Sequence, residues 1–350
     1  MIKSIINSVI VLALLIATNM FAGNPDRQGQ AGAYELLINP FARSGGLHSL
    51  NTASATGLEA IRMNVAGLSR IYGTEVIMSH SNWLQGSGVN VDFLGLAQPV
   101  GESGVLGLEL MSMSFGDIPI TTTELPEGGI GSYSPSFINV AVAYSVRFSE
   151  SISAGATVRL VSERIADVSA SGGAIDAGVQ YTTGSENQMK FGVALRNIGT
   201  PMSFSGDGLS IRSFIDQGSY QMTVSQRSES FELPSLLHIG VSYEFLTDND
   251  AHRLTAVANF QSNAFTSDDY GIGAEYSLKE KFMLRGGYRY ANGTTYLSQE
   301  ERSNAFTGLA GGFGIYLPMG EDDTKICLDY AYRATDPFKG IHTVAIRVSM

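Results

Sequence analysis

The chain has a single cysteine, Cys327, in 350 residues, so neither a disulfide framework nor a cysteine-rich zinc site is available to it. Proline is scarce, at 10, which excludes collagen-like and proline-rich disordered classes. Charged residues make up only 16%, against about 25% in ordinary soluble domains. Basic side chains are outnumbered 22 to 33, a net charge of −11, which argues against a nucleic-acid partner. The histidines His48, His80, His238, His252 and His342 are scattered, with no HExxH spacing. Neither a GxSxG elbow nor a phosphate-binding GxxxxGK[ST] loop occurs. No catalytic residue, metal site or cofactor is therefore expected. Long apolar runs are also missing beyond residue 23. What is abundant is glycine, at 40.

The N-terminus reads as a secretory leader over residues 1–22. Lys3 is the basic start, Ile5 to Ile16 is apolar apart from Asn7 and Ser8, and Phe21-Ala22-Gly23 offers small residues for cleavage. The run is shorter than the roughly 17–25 residues of a spanning helix. An exported chain without such a helix remains in a membrane only as a closed β-barrel, because unpaired backbone is not tolerated in lipid.

The remainder alternates with a period of two. Ile138, Val140, Val142, Tyr144, Val146 and Phe148 oppose Asn139, Ala141, Ala143, Ser145 and Arg147. Similar patterns predict fourteen strands, starting near residues 74, 87, 104, 136, 151, 171, 188, 235, 252, 268, 281, 305, 324 and 340. The less apolar face mixes glycine, alanine and serine with isolated charges, which suits a crowded lumen better than a wetted sandwich face. Asp92, Glu109, Arg159, Asp176, Lys190, Arg196, Glu275, Arg285, Arg289, Asp329 and Arg333 are assigned to it, since a charge facing mid-bilayer lipid costs about 2–4 kcal/mol. Aromatics including Tyr144, Tyr181, Tyr243, Tyr276, Tyr288 and Tyr316 are assigned outward, as interfacial girdles. The long connections Gly116–Pro135, Asn197–Pro234 and Asn292–Asn304 follow the third, seventh and eleventh strands, so they share one end. The expected architecture is an all-β, 14-stranded antiparallel transmembrane barrel over 74–350. It lies in the outer membrane of a Gram-negative bacterium, with both termini periplasmic.

Residues 23–73 do not alternate and form a candidate hatch or plug. Leu36 to Pro40 reads as extended, Ala42 to Leu47 as turn-rich, and Thr56–Leu68 as one short helix with a Thr56/Glu59 capping box. Inward glycines, Gly271, Gly273, Gly287 and Gly311 among them, leave room for it. Arg43 and Asn64 of the plug, with Glu275, Arg285, Arg289, Asp329 and Arg333 of the wall, are the candidate lumen and plug network.

The run Leu37-Ile38-Asn39-Pro40-Phe41-Ala42-Arg43-Ser44-Gly45-Gly46, then Asn64-Val65-Ala66-Gly67-Leu68, resembles the start of PorV/PorQ-type proteins. Glu232-Leu233-Pro234 leading into Leu237 to Tyr243 resembles the same group, which is related to FadL-type fatty-acid channels. Val65 departs from the family's Asn-Pro-Ala hatch motif, where proline is usual. The resemblance implies an outer-membrane component of type IX secretion. Its partners would be membrane lipid, the C-terminal signal domains of secreted cargo, and other secretion or surface-attachment components. The Asn197–Pro234 loop is the candidate partner-binding element, through Phe204, Phe214, Tyr220, Met222 and Phe231, aromatic and sulfur anchors among polar residues. The alternative is a FadL-type uptake channel for long-chain fatty acids or other hydrophobic molecules.

Overall fold

A computed structural model of the chain describes residues 22–214, 221–246, 251–294, 304–319 and 324–350. All but the last residue of the expected leader lies outside them. Fourteen strands among the described residues close into one antiparallel barrel, each pairing with its sequence neighbours. They are β1 Glu75–Trp83, β2 Val89–Val100, β3 Gly104–Ser114, β4 Ser136–Arg147, β5 Ile152–Ile165, β6 Val168–Thr183 and β7 Met189–Gly199. They continue as β8 Leu236–Leu246, β9 His252–Asn263, β10 Asp269–Leu278, β11 Phe282–Tyr290, β12 Phe306–Pro318, β13 Lys325–Thr335 and β14 Ile341–Ser349. β1 closes the ring against β14, with Glu75 opposite Ser349 and Asn82 opposite His342.

The alternation is realised side chain by side chain. In β4, Ile138, Val140, Val142 and Tyr144 are exposed on the outer wall, while Asn139, Ala141, Ala143 and Ser145 are buried inside. Slipping one strand by a residue would turn its charges into lipid, so register is strongly specified. A bulge between Ile175 and Ala177 takes Asp176 out of the β6–β7 ladder. Its carboxylate instead accepts from the backbone N–H of Asn197 at 2.6 Å, inside the lumen.

The ends differ as expected. Connections 101–103, 148–151, 184–188 and 279–281 are short and lie at the end where β1 begins and β14 finishes. The long connections 115–135, 200–235 and 291–305 lie at the other.

The N-terminal segment runs through the lumen from the long-loop end to the short-loop end. At the first, Ala22 N donates to Asp268 at 2.8 Å and Arg27 pairs with Glu232 at 2.6 Å. The segment then forms a 3-10 turn at Tyr34–Leu37, α1 at Ala42–Gly46, a 3-10 turn at Gly57–Glu59, α2 at Ala60–Met63 and a 3-10 helix at Val65–Arg70. At the second end the Thr74 carbonyl accepts from Met350 N at 2.8 Å. Phe41, Leu58, Ile61 and Leu68 pack on Ile77, Phe93, Val105 and Met111 of the wall. Each fully buried side chain of this kind contributes about 1.5–3 kcal/mol.

The first described residue, Ala22, sits at the long-loop end and the last, Met350, at the short-loop end, so the plug traverses the barrel before β1 starts. Several expectations are corrected. Leu36 lies in a 3-10 turn, not an extended run. The helix expected over Thr56–Leu68 is broken at Asn64, whose backbone is extended. Thr56 makes no side-chain cap and accepts instead from Arg43. Asp92 faces outward, because Phe93 takes the inner position to pack on Phe41, ring centroids 4.6 Å apart. It pairs with His80 at 2.7 Å, close to the long-loop end of β2. Tyr316 faces inward to accept from Arg285 at 2.8 Å. Gly312, not Gly311, meets the plug: a Cβ on Gly46 would stand 3.1 Å from Gly312 Cα.

Candidate functional site

Two ionic clusters tie plug to wall. The first is built on α1, a single turn whose Gly45 and Gly46 let it lie flat against β12 and β13. Its Arg43 reaches Glu275 of β10 and Glu59 of the plug, each at 3.4 Å. Arg285 of β11 completes the chain, with Glu275 at 2.6 Å and Asp329 of β13 at 2.6 Å. Arg43, Glu275, Arg285 and Asp329 therefore come together, with charges alternating through the group.

Arg289 and Arg333 do not join them. Arg289 pairs with Asp269, nearer the long-loop end. Arg333 donates to the Asn39 carbonyl at 3.1 Å and lies over the Trp83 ring, 5.2 Å from its centroid. Strand parity sets the face, but height along the barrel sets the partner, and parity carries no height.

The second cluster joins Arg62 of α2 to Glu109 at 3.0 Å, and Arg159 to Glu109 and Asp176. Arg62 had no sequence mark, since it lies in no strand, and Glu59 was read only as the partner of Thr56 in a capping box. The clue to both was a charge among the apolar Leu58, Ile61 and Val65.

Asn64 joins the plug to β6 and β7 without charge. Its Nδ2 donates to the carbonyls of Val179 at 3.0 Å and Thr52 at 3.2 Å, while its Oδ1 accepts from Ala66 N at 3.2 Å. The last contact is an N-cap, so the turn is held although Val65 stands where proline is usual. The fit requires Gly178, whose Cβ would stand 2.1 Å from Asn64 Oδ1.

The 200–235 connection has two layers. The lower is the pair Met202–Ser203 with Ser230–Phe231. There the rings of Phe204 and Phe231 meet at a tilt, centroids 5.8 Å apart, among Met202, Leu233, Leu36 and Val161. The upper is a hairpin of Ser210–Phe214 with Gln221–Ser225, which exposes Ile211, Phe214 and Met222. Of the candidate anchors, Phe204 and Phe231 thus hold the loop down, and Phe214 and Met222 stay available. Tyr220 lies outside the described residues.

A family model described as the type IX secretion system membrane protein PorP/SprF matches residues 128–335. The chain belongs to this family. The match runs from the loop before β4 to the end of β13 and includes the whole 200–235 connection. It leaves out the Leu37–Gly46 and Asn64–Leu68 runs of the PorV/PorQ likeness and includes the third, Glu232-Leu233-Pro234 leading into Leu237 to Tyr243.

Among solved structures, the PorP/SprF barrel is similar to the CymD monoaromatic hydrocarbon channel, with 14% identity and a TM-score of 0.54 over 89% of this chain and 97% of that one. It is similar to the Pseudomonas putida toluene transporter TodX, with 13% identity and a TM-score of 0.54 over the same shares. At these identities the likeness is one of fold: a 14-stranded barrel preceded by a helical N-terminal segment. No curated protein sequence matches the chain.

Proposed function

We propose that this PorP/SprF-family protein is an outer-membrane binding component of type IX secretion. In this reading its long-loop end faces the cell exterior and engages a protein partner, either the C-terminal signal domain of secreted cargo or a surface-attachment component. Its role is recognition and not catalysis. The observation that carries the reading is the exposed hairpin of the 200–235 connection. Phe214 is 67% exposed there, with Ile211 at 45% and Met222 at 43%. Large apolar side chains held outside the lipid-facing wall are typical anchors of protein interfaces.

The filled lumen supports recognition over conduction. An uptake route for hydrophobic molecules wants a continuous apolar path, whereas Arg62, Glu109, Arg159 and Asp176 span this lumen with buried charge. The test is deletion of residues 210–225, closed by a short Gly/Ser turn, in the native host. Purification of the intact barrel from outer membranes is expected to bring down signal-domain cargo or attachment proteins, and the deletion is expected to lose them. Undiminished co-purification by the deletion would refute the hairpin's role.

A further inference from the structure

Between the plug and the wall at the long-loop end lies a cavity of about 400 Å³, within the roughly 300–1,000 Å³ range of small-molecule sites. Its charge is lopsided. Arg196, Arg289 and Arg333 line it, and Asp269 is the one carboxylate among its described lining residues. Asp269 is already taken by Arg289. Arg196 and Arg333 each donate once to a plug carbonyl, Leu36 at 3.2 Å and Asn39 at 3.1 Å, and neither has an ion-pair partner among the described residues.

Several side-chain nitrogen atoms at this cavity are unused. The Nε atoms of Arg196 and Arg333 and the Nε2 atoms of His48 and His238 are buried without a hydrogen-bond partner. All four residues are more than nine-tenths buried. A cation taken out of water without an ion-pair partner is costly, and among the described residues two such cations are held at one cavity. Burial and the guanidiniums of Arg289 and Arg333 push His48 down to about 3, so it is a neutral hydrogen-bonding group. The wall also offers ring faces: Trp83 and Phe306 meet edge-on at 6.2 Å, with Arg333 over the Trp83 ring.

We propose that this cavity binds a compact organic anion, a carboxylate or phosphate monoester bearing one flat apolar group, with the anionic end on Arg333 and Arg196 and the ring against Trp83 and Phe306. The ligand supplies the ion-pair partner and accepts from the unused Nε donors. Asn39, Gln261, Asn263 and Asn304 in the same lining suit a short polar ligand better than an acyl chain. The site is separate from the outer hairpin and does not depend on partner binding there.

Trp83 is the only tryptophan in the chain, so its emission reports on this cavity. The full chain in detergent is titrated with phenyl phosphate, benzoate, inorganic phosphate, phenol and laurate, with calorimetry as a second readout. At least one of phenyl phosphate and benzoate is expected to bind saturably and at least tenfold tighter than phenol, laurate or inorganic phosphate. Arg333→Gln is expected to weaken that binding at least tenfold, and the 210–225 deletion to leave it unchanged. Ala291→Leu keeps every charge but takes up cavity space, and is also expected to weaken binding; it carries the test if Arg333→Gln does not fold. Absence of saturable binding by both aromatic anions would overturn the proposal. So would phenol, laurate or inorganic phosphate binding as tightly as the aromatic anion, or undiminished binding in folded Arg333→Gln or Ala291→Leu.

Discussion

Arg43 of the plug lies 3.4 Å from Glu275 of the barrel wall, and the same carboxylate is held by Arg285 at 2.6 Å. The plug is thus wired into an ion chain that begins and ends elsewhere, at Glu59 and Asp329. Residues that share a network are not additive. Arg43→Gln, Glu275→Gln and the double variant, compared by urea unfolding followed on gels, are expected to give a coupling of about 0.5–3 kcal/mol. A coupling of zero would mean that the contact does not tie plug to wall.

The Asn64 anchor is expected to be as sensitive as the charges. Asn64→Ala leaves the Val179 and Thr52 carbonyls without its amide and removes the cap on Ala66 N. The Thr52 carbonyl keeps Gln180 Nε2 at 3.3 Å, but the Ala66 N–H loses its side-chain cap, and leaving a buried group unsatisfied costs about 1–3 kcal/mol. Gly178→Ala should act in the same direction, since its new Cβ would stand 2.1 Å from Asn64 Oδ1. Both should quicken proteolysis between residues 50 and 70 while the barrel stays folded on gels. Wild-type protease resistance in both variants would argue against the anchor.

The outer wall makes a contrasting prediction. Val142 is outward and near the middle of β4, so Val142→Arg places a charge in lipid at a cost of about 2–4 kcal/mol. Assembly into liposomes should fail or slow. Asp92→Asn, also outward but near the rim beside His80, should assemble nearly as wild type. Equal defects would contradict the difference in depth.

Glu35 provides a pH test. Burial first, and then the facing carboxylate of Glu163, push its carboxyl up to about 8 from 4.5. The native state therefore holds a proton that the unfolded chain releases. Its contribution is fully present below about 4.5 and is lost as pH rises through about 8. Glu35→Gln keeps the shape without the titration. Its unfolding midpoint should match wild type at pH 5 and exceed it at pH 9; parallel pH profiles would sink the assignment.

Much of the barrel was legible because its determinants are local. Period-two alternation fixes which side chains share a face, and turn residues fix where strands end; β3, β4 and β9 begin at the residues read from the pattern, Gly104, Ser136 and His252. The plug was less legible. Its turns are too short for a period to accumulate, so the α1 turn at Ala42–Gly46 and the break at Asn64 left little trace in composition. Asp92 and Tyr316 were misassigned for a related reason. Parity counted from a neighbouring strand fails where a plug contact such as Phe41–Phe93, or a partner such as Arg285, decides which residue turns inward.

By itself, the sequence determined that this chain is an alternating, charge-poor, closed sheet with its long loops on one end, because those properties follow from residue order along a strand. The tertiary structure alone decided that the plug crosses the lumen from end to end. It alone separated Arg289 and Arg333 from the Glu275 cluster, and set Arg196 and Arg333 at a cavity where neither has an ion-pair partner among the described residues. Each of these depends on height along the barrel and on contacts between segments remote in the chain, which no local pattern encodes.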